Sequence, residues 1–293
     1  MTAEHSRTAA EKDWAGVLRL DIASEAGTNR ATRQYHEGAL RVLRPHYLDR
    51  TGHVTYTVIN PGGAYFGADN YLLDLTVRAG ASATLTTQSA TKVYKTPQGP
   101  AFQQMNVVVE EGGYCEYVPD QLIVYENGDY IQRTDVTLHT GASLVMSEIV
   151  TPGWSPRGEH FTYAGLSMRA EVRVTDGENT RRLALDHLRV RPAEEADVNA
   201  AGLMEGHTHT GQLLLASPVI TDEFVDAAQQ VLDDCGYTVG LSVLGGERSL
   251  GMRGLAVRSL AQSTAEIAAV HTHIITMFRD RAAGLGPLEL RKY

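Results

Sequence analysis

The sequence predicts a mainly β fold of the solenoid type, in which successive coils of short strands stack along one axis. The first observation is a pattern that occurs three times between residues 60 and 161: a strand of alternating apolar residues, a turn made of glycine and a small residue, and a second strand. Alternation is typical of strands because neighbouring side chains point to opposite faces. Glycine adopts the positive φ that a tight turn needs. The three copies are Leu75–Leu85, Val107–Tyr117 and Val136–Met146.

The second observation is the spacing of these copies. Their turn glycines lie at positions 80, 112 and 141, which are 32 and 29 residues apart. A repeat of roughly 30 residues is typical of supersecondary units that stack on one another. The alternative is a β-sandwich in which the three copies are ordinary hairpins.

Composition limits the class of protein. The chain has 293 residues, 43% of them apolar, which is enough for one large or two ordinary domains with a sizeable core. The formal charge of −9 argues against a nucleic-acid partner. Neither Cys115 nor Cys235 belongs to a C-x-x-C pair, so the sequence indicates no disulfide framework and no zinc knuckle. The polar start and the absence of a long apolar run predict a cytoplasmic protein without a membrane partner.

The elements before the repeats are predicted from turn residues and β-branched runs. Residues 1–13 are expected to form a flexible N-terminal arm, and residues 14–293 a single domain whose β scaffold extends over about 14–220. Val54–Ile59 is rich in β-branched residues and ends at a turn of asparagine, proline and glycine. Strands are predicted at 14–22, 35–43 and 54–59 before the repeats, and at 161–174 and 181–190 after them.

The C-terminal part, residues 221–293, is predicted to contain two helices. Thr221 is suited to cap a helix that ends near Gly236, with acidic residues in its first turn. Ser263–Glu266 fits a capping box, and apolar residues then recur at helical spacing as far as Phe278. Such a stripe indicates either a core face or a surface on which a partner docks.

Signatures of catalysis and metal binding are weak. The sequence contains no G-x-S-x-G, no P-loop and no H-E-x-x-H motif. His271 and His273 lie on a predicted helix, where residues i and i+2 point in different directions. His207 and His209 lie in an extended stretch, where i and i+2 share a face, and are the candidate metal ligands. No third ligand is near them, so two solvated loop histidines are the simpler interpretation.

Five stretches, in order along the chain, resemble motifs of the urease accessory proteins called UreD or UreH. They are Trp14 with His36–Val42, Asn60–Gly63 with Gly67 and Asp69, Thr87–Tyr94, Glu116–Ile123, and Arg157–Phe161. The stretch Gly251–Leu260 and the final helix correspond in position to the C-terminal helices of that family. The resemblance covers most of the chain.

The resemblance implies a right-handed helical β scaffold with two C-terminal α-helices packed against it and with no reaction of its own. It implies UreF-like and UreG-like partners, contact with the urease structural subunits, and transient passage of Ni²⁺ without a tightly bound cofactor. The helices are the candidate contact for the UreF-like partner. The motif residues expected to set the scaffold or line a polar interior are Asp69, Lys92, Tyr94, Asp120, Arg157 and Glu159.

Two other functions stay open from the residues alone. A polysaccharide lyase or hydrolase on a β-helix would carry paired carboxylates or a Ca²⁺ site in a groove, and it would be exported from the cell. A nickel-storage protein would use His207 and His209 and would hold several ions tightly.

Overall fold

The structure is a computed structural model that describes residues 13–194 and 197–290, and most of its regular elements are strands. Apart from Asp13, the predicted N-terminal arm lies outside the described residues. The strands are β1 (Gly16–Glu25), β2 (Thr28–Gly38), β3 (Arg41–Val42), β4 (Val54–Ile59), β5 (Asn70–Val77), β6 (Ser82–Thr87), β7 (Thr91–Val93), β8 (Ala101–Val109), β9 (Tyr114–Tyr117), β10 (Leu122–Val124), β11 (Asp129–His139), β12 (Ser143–Val150), β13 (Gly165–Thr175), β14 (Thr180–Val190), β15 (His209–Ser217), β16 (Thr238–Gly245) and β17 (Arg253–Ala261). The helices are α1 (Asp222–Asp233) and α2 (Thr264–Ala283).

The strands form two facing sheets. The first sheet has the order β14-β13-β11-β8-β5-β1-β2, and the second has the order β16-β17-β15-β12-β9-β6-β4-β3. In the middle of both sheets the neighbours are parallel and belong to successive coils, as in β5, β8 and β11. The chain therefore winds through about 4 turns of a β-solenoid. The predicted fold class is confirmed, and the hairpin alternative is wrong because the two strands of each repeat lie in different sheets.

The register of the coils follows the glycine spacing seen in the sequence. In the first sheet, Asn70 pairs with Phe102 and Phe102 with Ile131, which are steps of 32 and 29 residues. Gly80, Gly112 and Gly141 occupy the corner of three successive coils with φ of 66°, 68° and 85°. A Cβ on Gly141 would lie 3.7 Å from the Gly112 nitrogen, so the corner glycines stack on one another. The repeat spacing is therefore the residue count of one coil.

The core fills the space between the two sheets. The inward residues of β8 alternate with half-buried ones, and Met105, Val107 and Val109 are at most 1% exposed. The short strands β7 and β10 form a third side of the coil, where Lys92 pairs with Ile123. Layers of like side chains follow, because parallel strands in register place equivalent residues of successive coils beside one another.

Antiparallel strands complete both sheets. β2 pairs with β1, β14 pairs with β13, and β15, β17 and β16 extend the second sheet beyond β12. The expectation that Gly251–Leu260 is helical is wrong, because this stretch becomes β17. Its apolar residues recur with a period of two, and Leu255 and Val257 are buried in the cluster that also contains Ile274 of α2.

The two predicted helices are present, and the hairpin of β16 and β17 separates them. The Thr221 side chain caps α1 by accepting from the Phe224 N–H. The Ser263 side chain caps α2 by accepting from the Glu266 N–H, and the Glu266 carboxylate accepts from the Gln262 N–H at 3.0 Å. Helix α2 lies on the outer face of the second sheet, over β12, β15 and β17.

Close packing under α2 predicts a position-dependent cost for enlarging a glycine. A Cβ on Gly211 of β15 would lie 2.3 Å from Ile267 Cγ2, whereas a Cβ on Gly240 of β16 would meet no atom within 4 Å. We expect Gly211→Val to lower the free energy of unfolding by about 1–3 kcal/mol, measured by urea denaturation. Gly240→Val is the matched control and should change it by less than about 0.5 kcal/mol. Equal effects of the two substitutions would show that α2 does not pack tightly on β15.

Candidate functional site

A polar layer interrupts the apolar interior of the solenoid. Its centre is a cavity of about 20 Å³ between the two sheets. Gln103 and Gln132 project into this region from the first sheet and are 4% and 5% exposed. Tyr117 and Glu148 face them from the second sheet. Buried polar groups are costly unless they are hydrogen-bonded, so the partners of these groups decide whether the layer is stable.

A chain of hydrogen bonds satisfies this layer. The Tyr130 hydroxyl donates to Gln132 Oε1 at 3.0 Å, and Gln132 Nε2 donates to Glu148 Oε1 at 2.5 Å. In the neighbouring coil, the Tyr65 hydroxyl donates to Gln103 Oε1 at 2.8 Å. Burial raises the pKa of the Tyr130 hydroxyl, so it stays a donor at neutral pH. The amides are thereby held with their oxygens and nitrogens in fixed directions.

Glu148 is the carboxyl group at the centre of this layer. Burial raises its pKa, and the hydrogen bond from Gln132 partly opposes that shift. Its side chain keeps some accessible surface because it borders two cavities, the central one and a larger one of about 300 Å³. The next strand places Gln212 opposite Glu148, and Gln212 also lines the larger cavity. A cation arriving here would meet the carboxyl group of Glu148, to which Gln132 donates through Nε2.

The central cavity also borders a third cavity, of about 190 Å³, beneath α2. Asp120 and Ile149 belong to the walls of both. The polar interior therefore extends from the α2 side, past Asp120 and Glu148, to the larger cavity, where Arg258 forms an ion pair with Asp186. Among the described residues, no group of three or more His, Cys, Asp or Glu side chains is arranged to hold a metal ion. The donors along the interior are single groups, which suit brief contacts with a cation better than tight binding.

A buried ion pair joins α2 to the second sheet. Arg279 Nη1 donates to both carboxylate oxygens of Glu116 at 2.5 Å, and these residues are 4% and 0% exposed. The Tyr114 hydroxyl and the Thr84 hydroxyl also donate to Glu116, at 2.6 and 2.5 Å. His53 Nε2 lies 2.7 Å from Thr84 Oγ1. Because the Thr84 hydroxyl donates its proton to Glu116, it accepts the hydrogen bond from His53. The carboxylate is thus fully satisfied in the interior.

Sequence reasoning did not identify this pair, although Glu116 stands in a motif and Arg279 at the end of the predicted helix. The two residues are 163 positions apart. A single polar residue on the buried face of a helical stripe is the one signal that could have indicated it.

Four aromatic side chains form a ladder on the outside of the solenoid, one from each of four successive coils. The ring centroids of Phe66 and Tyr94 are 5.5 Å apart, those of Tyr94 and Tyr125 are 4.7 Å apart, and those of Tyr125 and Trp154 are 4.8 Å apart. Phe66, Tyr94 and Trp154 are 47%, 36% and 49% exposed. Exposed aromatic rows of this kind are typical of protein contact surfaces. Their recurrence once per coil could have been read from the sequence after the repeat length was known.

Most of the motif residues chosen from the sequence lie at this aromatic ladder. Tyr94 is one of its members, and Asp69 fixes the turn below it by accepting from the Phe66 N–H and the Tyr71 hydroxyl, both at 2.9 Å. Arg157 is beside Trp154 and forms ion pairs with Glu126 and Glu159 at 3.2 and 2.8 Å.

These ion pairs are exposed, with 68% of the Arg157 side chain accessible, so Arg157 and Glu159 lie on the surface and not in the polar interior. Asp120 is in the walls of the central cavity. Lys92 is half-buried on β7 and lines a separate surface pocket of about 70 Å³. The sequence-selected residues are therefore divided between the aromatic ladder, the interior and one small pocket.

The histidine candidates lie at the start of β15. His207 precedes the strand, and its Nδ1 is 3.1 Å from the Met204 carbonyl oxygen. His209 is the first residue of the strand, and its Nδ1 is 2.8 Å from Thr208 Oγ1. Burial lowers the pKa of His209, which keeps the ring neutral at neutral pH. The assignment of these two residues as metal ligands stays a prediction.

Together, these features define a class of protein: a β-solenoid scaffold with a polar interior and exposed contact surfaces. Residues 15–292 match the family model described as UreD urease accessory protein. The chain is 47% identical to the urease accessory protein UreD of Kocuria rhizophila, over 96% of this chain and 90% of the relative. It is 44% identical to that of Paenarthrobacter aurescens, over 95% of each chain, and 41% identical to that of Corynebacterium glutamicum, over 95% and 98%.

The chain therefore belongs to the UreD family of urease accessory proteins, and the resemblance found in the sequence is confirmed. Membership supports a role in urease maturation. In the described ranges, no helix is both long and apolar enough to cross a membrane.

The buried ion pair predicts a large cost for removing one partner. We expect Arg279→Met to lower the free energy of unfolding by about 3–5 kcal/mol, because Glu116 is left charged and unpaired in the interior. The double variant Glu116→Gln/Arg279→Met should lose less, since no buried charge remains. Urea denaturation measures both. Arg30→Met, which removes an exposed ion pair with Glu25, is the control and should change stability by at most about 1 kcal/mol. A small effect of Arg279→Met would contradict the burial of this pair.

The raised pKa of Glu148 predicts that replacing this residue by a neutral one increases the stability of the folded protein in a pH-dependent way. Between its ordinary pKa of 4.5 and its higher value in the folded state, the unfolded chain releases the proton first, so the wild-type protein loses stability as pH rises. We expect Glu148→Gln to be more stable than wild type at neutral pH and equal to it well below pH 4.5, measured as the urea midpoint against pH.

Glu110→Gln is the control with the opposite sign. The hydrogen bond from Arg78 lowers the pKa of Glu110, so its charged form stabilises the folded state at neutral pH and that contribution disappears as pH falls. Glu110→Gln should therefore be less stable than wild type at neutral pH. A Glu148→Gln variant that is also less stable there would show that the interior favours the charged carboxylate.

Proposed function

We propose that this chain is a scaffold of urease maturation that acts with UreF-like and UreG-like partners, binds the urease structural subunits, and lets Ni²⁺ pass through its polar interior. Family membership supports the urease role, and the polar interior with Glu148 at its centre is the single observation that carries the nickel step. In this proposal nickel is cargo, the chain catalyses no reaction, and nucleotide hydrolysis belongs to the UreG-like GTPase. The protein acts in the cytoplasm.

The arrangement of the interior supports transit of a cation. Three cavities follow one another: the central one shares Asp120 and Ile149 with the cavity beneath α2, and it shares Glu148 with the larger cavity. Each offers a few oxygen donors, so an ion exchanges one weak contact for the next instead of being trapped in a cage. Because burial raises the pKa of Glu148, a cation that binds there competes with the proton for the same carboxyl group.

The outer surfaces support the scaffold part of the proposal. The aromatic ladder exposes three large rings in a row, a composition enriched in protein interfaces. Helices α1 and α2 lie on the outer side of the second sheet and are our candidate contact for the UreF-like partner. Helices α1 and α2 pack against strands of the second sheet, which leaves the outer side of the first sheet as a second face for another subunit.

The two alternatives are less well supported. The family match favours an accessory protein over a polysaccharide lyase or hydrolase. A storage role for His207 and His209 requires several tightly held ions per chain, and equilibrium dialysis of the purified protein with Ni²⁺ separates it from transit. Storage predicts saturable binding of more than one ion per chain, whereas transit predicts weak binding only.

The proposed function is tested by co-expressing urease with its accessory proteins, with and without this chain. Without it, we expect urease protein at normal abundance but poor in nickel and inactive, measured by metal analysis and urea hydrolysis. Complementation with Glu148→Gln should restore partner binding but load less nickel than wild type, since the central carboxylate is lost. Glu110→Gln, which neutralises a carboxylate outside the interior, should load nickel normally. Full nickel loading in the absence of the chain would defeat the proposal.

A further inference from the structure

The outer face of the first sheet carries a cluster of arginines at its β14 end. We call it the arginine patch and define it as Arg133, Arg169, Arg173, Arg182 and Leu185. Strand register brings these residues together: Arg133 of β11 pairs with Arg169 of β13, and Arg173 of β13 pairs with Arg182 of β14. Alternation along β13 turns Arg169 and Arg173 away from the core, to which Met168, Val172 and Val174 belong.

One buried carboxylate holds three of these arginines. Glu171 is 2% exposed and lies 2.8 Å from Arg173 Nη2 and 3.0 Å from Arg182 Nε, and it also pairs with Arg169. The hydrogen bond from Arg169 is the largest cause of the lowered pKa of Glu171, so the carboxylate is charged at neutral pH. A single negative charge neutralises only one of three guanidinium groups.

The remaining positive charge is open to solvent. The side chains of Arg169, Arg173 and Arg182 are 35%, 42% and 58% exposed. Asp135, which pairs in register with Glu171 on the same face, accepts from Gln104 Nε2 at 2.9 Å. With Arg133 included, four arginines stand beside two carboxylates, Glu171 and Asp135, so this surface stays positive although the whole chain has a formal charge of −9.

An apolar side chain stands among these charges. Leu185 is opposite Glu171 in the register of β13 and β14 and is 49% exposed. Arginine around an exposed apolar residue is a composition found in protein interfaces, where guanidinium groups bind carboxylates in a bidentate manner. A nucleic acid would also offer anions, but the negative charge of the whole chain opposes its approach.

We propose that the arginine patch is the docking surface for an acidic segment of a partner protein, which presents carboxylates to the guanidinium groups and an apolar side chain to Leu185. Charge complementarity carries the inference, because the chain as a whole has a formal charge of −9 and this surface presents exposed guanidinium groups to an acidic partner. The patch faces away from α2, so this partner and one bound at the helices do not compete. That the partner is a component of urease maturation rests on the proposed function, whereas its acidic character does not.

The test is recovery of co-expressed partners on the tagged full-length chain. The variant Arg173→Gln/Arg182→Gln/Leu185→Ser leaves Arg169 to pair with Glu171. Its matched control is Arg30→Gln/Arg33→Gln/Tyr35→Ser on β2, the other edge strand of the same sheet, where Tyr35 is 43% exposed. The probes are the urease structural subunits and the UreF-like and UreG-like proteins, at about 0.1 M and about 1 M salt, where charges act over roughly 10 Å and 3 Å.

We expect the patch variant to recover at least about tenfold less of one of these partners than wild type and the control do, and wild-type recovery of that partner to fall at high salt. Equal recovery by the patch variant and wild type overturns the proposal. It is also overturned if the patch variant loses retention of double-stranded DNA while partner recovery is unchanged.

One further measurement and a second variant keep the result interpretable. Thermal unfolding shows whether the triple variant folds; if it does not, Arg182→Glu alone carries the test, because this is the most exposed of the three arginines. The failure of the two proposals is distinguishable. Normal nickel loading of urease without the chain defeats the proposed function, whereas unchanged recovery of partners by the patch variant defeats the arginine patch alone.

Discussion

In-register hydrogen bonding between successive coils is the constraint on which the rest of this structure depends. Because parallel strands pair residues one coil apart, every side chain stands beside its equivalent in the neighbouring coil. The steps of 32 and 29 residues between coils therefore decide what stacks: valines in the core, Gln103 beside Gln132 in the polar layer, and one aromatic ring per coil outside. A register shift of one residue would turn Glu148 towards α2 and apolar neighbours towards the cavity.

The central layer of the polar interior is sparse, and its amides and its carboxyl group are hydrogen-bonded. Gln132 both accepts from Tyr130 and donates to Glu148, so a buried carboxyl is tolerated without a compensating cation. A second buried carboxylate, Glu116, forms an ion pair with Arg279, and this pair joins α2 to the second sheet. The carboxyl group of Glu148 has no cationic partner among the described residues, whereas that of Glu116 forms an ion pair with Arg279. This difference separates a group suited to meet an ion from one that only holds the structure together.

Local signals in the sequence were sufficient for much of the fold. The glycine spacing predicted stacked units with a repeat of roughly 30 residues, and Thr221 and Ser263 predicted the helix starts. The exception is Gly251–Leu260, which corresponds in position to a family's helices but has apolar residues with a period of two, the period of the strand that forms there. The site was harder to predict. In the sequence, Glu148 is not distinguishable from other polar residues on strands. Its hydrogen bond with Gln132 depends on which strands face each other across the core, and no local sequence pattern contains that information.

In the proposed function a cation passes through the interior and is not held at the surface. The most direct measurement is a nickel-edge anomalous difference map from crystals of the chain with its maturation partners, soaked in Ni²⁺. We expect partially occupied peaks within the cavities that Asp120 and Glu148 line. Anomalous density confined to His207 and His209, with the interior cavities empty at the same nickel concentration, would contradict it.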